Sequence, residues 1–553
     1  MDNTEQQKFQ VFFNNKFPDE NDQNNNSIVI VPSKDNWNDF TYRARIHIRI
    51  KALVDSYDLS TVNIQVEGFI GFLDDAPSKI KTLQELAEKL NERLLPATFE
   101  QYRFFTMLYD MEAYRKLIRS LGVENTREAL LALNDLVALS EFKPGKKINE
   151  HAEMTEVFQL SFVRNSESYF AYRNAGYILH GLTEENLGDI SPSLSINFRL
   201  DGRTNDHDLT FNFDHDNVLP KRIAIVIGKN GVGKSQTLGR IARAALKGGR
   251  ELTDASYGGR PIISRLLAFA PTNEAESVFP KPRRGQQKIS YQRFSLNRSR
   301  RTGSRNSVTA IIKDLYRSDQ DIKGNPRWKI FQDAIQAIAE SAEIHLPATK
   351  YSEEPYFPIY QLGRSNEERK LKRFGTIDWK REPMRVIDGK PLPLSSGELS
   401  FLKFAAQVSL AIENGSLLLL DEPETHLHPN FISKFTALLD HLLKETGSSA
   451  IIATHSVYFV REVFREQVTV LRIDSNGNVK TETPRLRTFG GDVGAISFFV
   501  FGEDSPSPIS IELQRKLMSQ ELSWKTLYEK HCDELSPEFL MQLRRLMNSD
   551  INE

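Results

Sequence analysis

Residues 222–247 read RIAIVIGKNGVGKSQTLGRIARAALK: an apolar, β-branched run, a glycine-rich turn and a helical pattern in direct succession. Few architectures accommodate that order. A buried strand running straight into a tight turn and a helix predicts an α/β fold with a mainly parallel sheet. Within it, Gly228, Lys229, Asn230, Gly231, Val232, Gly233, Lys234 and Ser235 match GxxxxGK[ST]. The glycines let successive backbone N–H groups turn onto phosphate oxygens at the helix N-terminus, Lys234 reaches the β- and γ-phosphates, and Ser235 offers a hydroxyl to Mg²⁺. The blander alternative is a glycine turn that binds nothing. The agreement of strand, loop, lysine, hydroxyl and helix favours ATP and Mg²⁺ as ligands.

Phosphoryl transfer to water also needs a carboxylate near the metal and a group that orients the nucleophile. The run GSLLLLDE (415–422) reads as a buried strand that delivers Asp421 and Glu422 at its carboxyl end, where ligands sit in such sheets. Asp421 is expected to support Mg²⁺ through water and Glu422 to position or deprotonate the attacking water. SSAIIATHS (448–456) repeats the pattern and ends in His455, a candidate for the γ-phosphate or the water, or simply an exposed histidine.

Composition removes several classes. The 553 residues exceed what one core usually serves, and the net charge of −1 with 26% charged residues points to neither a wholesale polyanion binder nor a disordered chain. One cysteine, Cys532, allows no intrachain disulfide and no multi-cysteine zinc site. The start lacks a secretory pattern, and no run approaches the roughly 20 apolar residues of a membrane helix. A cytoplasmic protein without a membrane partner is expected.

Four motifs in order, GKNGVGKS at 228–235, LSSGE at 394–398, LLLLDEPETHLHP at 417–429 and ATHS at 453–456, resemble the ABC-type ATPase head, within it the SMC-like and OLD-type group. The resemblance implies that Ser395, Ser396, Gly397 and Glu398 stand in the signature place and contact ATP held by a second head. It implies that His426 and His428, with Thr425 and Leu427, occupy the D-loop, and that His455 is the switch histidine. His428 stands where an aspartate is usual, and none of Gln286, Gln287 or Gln292 sits in a Q-loop setting. The HLH pair is read as scaffold rather than as a metal site. The stretches DNWNDFTYRARIHI, VNIQVEGFIGF, LNDLVAL and TFGGDVGAISFFVFGED are similar to ATPase subunits of anti-phage systems of the Septu and retron-associated kinds. That similarity implies a homodimer or higher oligomer formed through ATP heads, a separately encoded HNH-type nuclease and, in retron versions, a reverse transcriptase with its DNA–RNA product. The alternative is an SMC- or RecF-like DNA repair or maintenance ATPase; a weaker one is a scaffold with a structural nucleotide.

The expected organisation is a flexible segment over 1–27, an N-terminal α+β region over 28–190 and a P-loop lobe over 191–280. A basic and helical insertion over 281–390, a lobe with signature, acids and switch histidine over 391–490, and a helical C-terminal extension over 491–553 complete it. Strands are expected at SIVIV, FTYRARIHIRI, TVNIQVEGFIGF and around VFQLSFV, and helical spacing at KTLQELAEKLNERL, EQYRFFTMLYDMEAYRKLI and TREALLALNDLVAL. The run from Lys281 to Arg305 contains no acid and interleaves Tyr291 and Phe294. Either it contacts nucleic acid, with Arg298, Arg300 and Arg301 on phosphates, or it is a solvated loop or a strand whose arginines pair with acids elsewhere.

Overall fold

The computed structural model describes the chain except residues 1–8, 20–23, 34–42, 55–59, 89–93, 145–146, 182–189, 201–204, 216–218, 220, 257, 272–277, 282–288, 297–306, 319, 337–340, 351, 365–375, 427–428, 503–507, 521 and 550–553. The chain divides into two units, Met1–Gly490 and Gly491–Glu553. Among the described residues no helix is long and apolar enough to cross a membrane.

The head is built on a seven-stranded sheet in the order Ser290–Ser295, Arg265–Ala270, Leu417–Asp421, Ser449–Thr454, Ile223–Gly228, Val468–Ile473 and Val479–Glu482. The first six strands are parallel, and the last folds back as a hairpin. Strands covered on both faces must be apolar along their whole length. Leu417–Leu420 and Ile223–Ile227 accordingly lie at 0–2% exposure. A three-stranded antiparallel sheet of Leu252–Asp254, Ser193–Arg199 and Asp206–Asn212 shares this core, and alternates buried and exposed residues because one of its faces is wet.

The expected insertion over 281–390 begins inside the head. Strand Ser290–Ser295 pairs with Arg265–Ala270, Tyr291 is buried with its hydroxyl donating to the Pro280 carbonyl, and Phe294 stacks on Phe269 at 4.9 Å. These two rings therefore pack the sheet edge rather than offer a surface for bases. Arg298, Arg300 and Arg301 lie outside the described residues. Further on, helices Val308–Arg317 and Arg327–Ile335 precede a four-stranded antiparallel sheet, Tyr356–Pro358, Ile344–Pro347, Met384–Ile387 and Lys390–Pro393. Its last strand leads into helix Ser396–Ala411, which buries residues on nearly every side. Phe404 meets Phe269 at 4.9 Å and Phe435 at 4.7 Å, tying that helix to the sheet and to helix Pro429–Thr446.

The N-terminal region is a six-stranded sheet whose longest strands, Arg45–Val54 and Ser60–Phe72, pair antiparallel with Ile48 opposite Val66. Helix Met111–Ala132, capped by Asp110, lays Tyr114, Leu117 and Leu121 into the core with that sheet and breaks at Gly122, where φ is 76°. Three expectations need correction here. Residues 1–27 are not wholly a flexible lead-in, because Gln10–Phe13 forms a strand beside Ser27–Pro32 and alternation buries Phe9, Val11 and Phe13. The helical reading of 100–118 is interrupted: Arg103 at φ 44° ends a single turn, and Phe104–Leu108, buried at every position, pairs with Ser60–Phe72. Residues 158–162 are helical, since Phe158 and Phe162, four apart, meet at 5.9 Å and Phe162 packs on Phe69 and Phe105. The second unit comprises helices Val493–Phe501, Pro508–Met518, Trp524–His531 and Pro537–Ser549, with its own small core of Leu517, Leu527, Leu540 and Leu543.

The N-terminal region meets the head through buried charge. Glu413, just past helix Ser396–Ala411, lies 2.9 Å from Arg115 of the N-terminal helix and 3.3 Å from Arg327. Arg327 also donates to the carbonyls of Ser409 and Ile412, and Arg265 to that of Ala411 while pairing with Glu167. Beside them Gly415, at φ 66°, admits the Phe170 ring, which would stand 2.3 Å from a Cβ. Burial alone would push the Glu413 carboxyl up, but Arg115, Arg327 and Arg265 overcome it and hold it down at about 2.

Glu413→Leu removes the carboxylate that the buried guanidiniums of Arg115 and Arg327 share and is expected to cost about 3–5 kcal/mol, read from the urea midpoint of tryptophan fluorescence. Because the folded value lies below the ordinary 4.5, the carboxylate's contribution is complete above that pH and fades as pH falls towards about 2. In the leucine variant this part of the acid sensitivity disappears.

Candidate active site

The strand order places the chemistry. Ser449–Thr454 lies between the strand that enters the glycine loop and the strand that ends in the acids, so His455 emerges between Lys234 and Glu422. Gly231 and Gly233 take φ values of 80° and 99°, which a side chain would strain, and a Cβ on Gly233 would stand 2.6 Å from Leu200. Val232 between them is buried in the head core and anchors the loop, while Lys229, Asn230 and Gly231 remain exposed. Lys234 opens helix Lys234–Lys247 and donates to the carbonyls of Gly228 and Lys229 at 3.0 and 3.3 Å. Its burial lowers its pKa, and the negative charges of Glu422, Glu424 and Asp421 oppose that shift.

The Ser235 hydroxyl donates to Asp421 Oδ1 at 2.8 Å, joining the two halves of the site across 186 residues of chain. A hydroxyl and a carboxylate in contact are the oxygen donors Mg²⁺ takes alongside phosphate and water. Ser235 and Asp421 would therefore hold the metal, directly and through water respectively, and the glycine loop with Lys234 would hold the triphosphate. Burial pushes the Asp421 carboxyl up to about 6, against the Ser235 hydrogen bond.

Glu422 has φ 42°, an uncommon value for a residue with a Cβ, while its N–H donates to the Ala453 carbonyl at 2.8 Å. Such strain costs of order 1–3 kcal/mol and persists where surrounding structure imposes it. It leaves the Glu422 side chain partly exposed, with Oε1 at 3.6 Å from His455 Nδ1. A partly solvated carboxylate beyond the metal pair is suited to orient water.

Glu424 is the residue that motif reading passed over. It is 7% exposed, and its Oε1 accepts from the Thr454 hydroxyl and from the His455 N–H at 3.0 Å, with His455 Nδ1 at 3.2 Å. Burial raises its pKa. Its signal was the third acid of DEPE, two residues beyond the Asp421–Glu422 pair.

The structure places Ser395 as the N-cap of helix Ser396–Ala411, in a reciprocal box with Glu398. The Glu398 carboxylate accepts from the Ser395 N–H and hydroxyl at 2.8 and 2.7 Å and pairs with Arg385. Ser396 is exposed and Gly397 buried. Among the described residues no hydrogen bond or ion pair joins this turn to the chain's own glycine loop. Gln292 is exposed on the edge strand, Gln286, Gln287, Leu427 and His428 lie outside the described residues, and of the Asp/Glu/His/Cys groups described no three converge as a metal site.

Residues 223–461 match the family model described as "AAA domain, putative AbiEii toxin, Type IV TA system". Protein ea59 of Escherichia phage lambda is 24% identical over 93% of this chain and 94% of its own length. The energy-coupling factor transporter ATP-binding protein EcfA2 of Spiroplasma kunkelii is 26% identical over 29% of this chain, which spans 46% of that relative. The SMC head domain from Thermotoga maritima is 12% identical, covering 54% of this chain and 100% of that one at a TM-score of 0.27. The match to the family model covers the glycine loop and the strands that lead into Asp421 and His455, so the α/β head is similar to AAA-type domains and to ABC transporter ATP-binding proteins.

Since the metal needs Asp421 ionised, affinity for Mg·ATP is expected to fall up to about tenfold per pH unit below about 6. Titration calorimetry between about pH 5 and 7.5 should show this slope with Mg²⁺ and a flatter one with EDTA. Asp421→Asn should bind Mg·ATP weakly at every pH.

Proposed function

We propose that this protein is an ATP phosphohydrolase whose heads pair around ATP and whose nucleotide state governs a separately encoded effector. The observation that carries the hydrolytic reading is the Ser235–Asp421 contact, with Glu422 and His455 beside it on adjacent strand ends. Mg²⁺, when bound, neutralises charge on the β- and γ-phosphates. Lys234 and the loop N–H groups hold the triphosphate, Glu422 orients the water and His455 presents its ring to the γ-phosphate edge.

Pairing is supported by the signature turn. Ser395 already caps its own helix, Ser396 is exposed at its first position, and the helix N-terminus favours an anion. A second head's γ-phosphate is the partner that this turn fits. The finer reading makes the chain the regulatory subunit of a cytoplasmic anti-phage complex of Septu or retron type, with an HNH-type nuclease on a separate chain. It is supported by the resemblance of the outer segments, and a full-length relative carried by a phage fits a role in phage–host conflict. The alternative, an SMC- or RecF-like maintenance ATPase, needs no nuclease.

Lys234→Ala should lose nucleotide binding, and Glu422→Gln should bind ATP but turn over at least about 100-fold more slowly and accumulate as pairs. Gly397→Glu should keep ATP binding and stay unpaired, as sedimentation in ATP would read. Purification of the chain from its native host separates the finer readings: a stably bound nuclease supports the effector complex, and its absence supports the maintenance enzyme.

A further inference from the structure

Glu424 carries a feature that the roles above leave unexplained. A carboxylate this buried loses hydration that only hydrogen bonds or charge can replace. One of its oxygens is well served: Oε1 accepts from the Thr454 hydroxyl and from the His455 N–H at 3.0 Å, and faces His455 Nδ1 at an ion-pair distance of 3.2 Å without hydrogen-bond alignment. All three groups belong to the two residues at the end of one strand. Oε2 is buried with no hydrogen-bond partner. Stability alone would favour an apolar residue at such a place, since an unsatisfied buried acceptor costs about 1–3 kcal/mol.

We infer that Glu424 is the positioning residue of the hydrolytic site: it holds the proton of His455 on Nδ1 and turns Nε2 towards the γ-phosphate and its attacking water. A histidine's second nitrogen is set by the bond its first one makes. Glu422 Oε1, at 3.6 Å from the same Nδ1, is too distant for a hydrogen bond and remains available to the water. The two acids of one motif thereby divide the work, with Glu422 facing the nucleophile and Glu424 facing the histidine. The chain supports the arrangement from below, because the Thr454 hydroxyl that binds Glu424 also accepts the Ser456 N–H at 2.9 Å and closes the turn that aims the ring. Among the described residues no other charged side chain pairs with Glu424, while Lys234 and Asp421 act on it through space.

This inference rests on the hydrolytic reading, and its test separates the two. Glu424→Gln retains an amide oxygen for Thr454 and the His455 N–H but removes the charge facing Nδ1. Its kcat for ATP is expected to fall about 10- to 100-fold with KM changed less than about threefold, as for loss of a group that orients a catalytic histidine. Glu424→Gln/His455→Ala should be no slower than His455→Ala alone, because Glu424 acts through that ring. In ¹⁵N-histidine spectra, with the His455 signal assigned by its loss in His455→Ala, the proton should sit on Nδ1 in the wild type and on Nε2 in Glu424→Gln. Losses that multiply in the double variant, or an unchanged tautomer, would overturn the assignment of Glu424. A wild-type chain without turnover would instead overturn the hydrolytic reading, while the spectra would still report whether Glu424 sets the tautomer.

Discussion

The carboxylate of Glu413 is where the layers of the molecule are held to one another. It receives Arg115 from the N-terminal helix and Arg327 from the helical lobe, while Arg265 of the head sheet binds the carbonyl of Ala411 two residues earlier. Each guanidinium would be costly to bury by itself, and so would the carboxylate. Together they also occupy the carbonyls of Ser409, Ala411 and Ile412, the acceptors a helix leaves unpaired at its C-terminus. The far end of that helix is the Ser395–Gly397 turn. A largely buried helix thus runs from the charged junction to the face proposed to meet a second head.

The site divides in a similar way between strain and support. Glu422 takes an unfavourable backbone conformation at the end of a strand whose every other residue is locked in the core. Its neighbour Glu424 is sequestered instead and serves the adjacent strand. The signature serine shows the same economy of parts: the capping bonds that start its helix come from Glu398, which is fixed in turn by Arg385.

Local signals made much of this legible. The loop from Gly228 to Ser235, the leucine strand before Asp421 and the strand before His455 each combine an apolar run with a polar terminus. What local pattern could not supply was contact between distant residues. Arg115 and Glu413 stand 298 apart, and neither is unusual in its own window. Phe104–Leu108 read as helix because a five-residue run buried on both faces has no period of its own, and only its pairing with Ser60–Phe72 decides the matter. Tyr291 and Phe294 sat in a basic run equally open to a nucleic-acid surface and to a solvated loop or strand, and Phe269 on the next strand draws them into the sheet. Glu424 escaped notice because its meaning lies in the strand beside it.

The three neighbouring strands have a further consequence for how such a chain can vary. Ser235, Asp421, Glu422 and His455 are dispersed over more than two hundred residues, yet their relative positions depend only on two parallel registers, Leu420 opposite Ile452 and Ile452 opposite Ile225. A slip of one residue in either would displace a strand end by about 3.3 Å and turn its side chains to the other face. The surface loops between elements face no such register. Length can therefore vary in those loops while the strand ends, and the reacting groups they carry, keep their spacing.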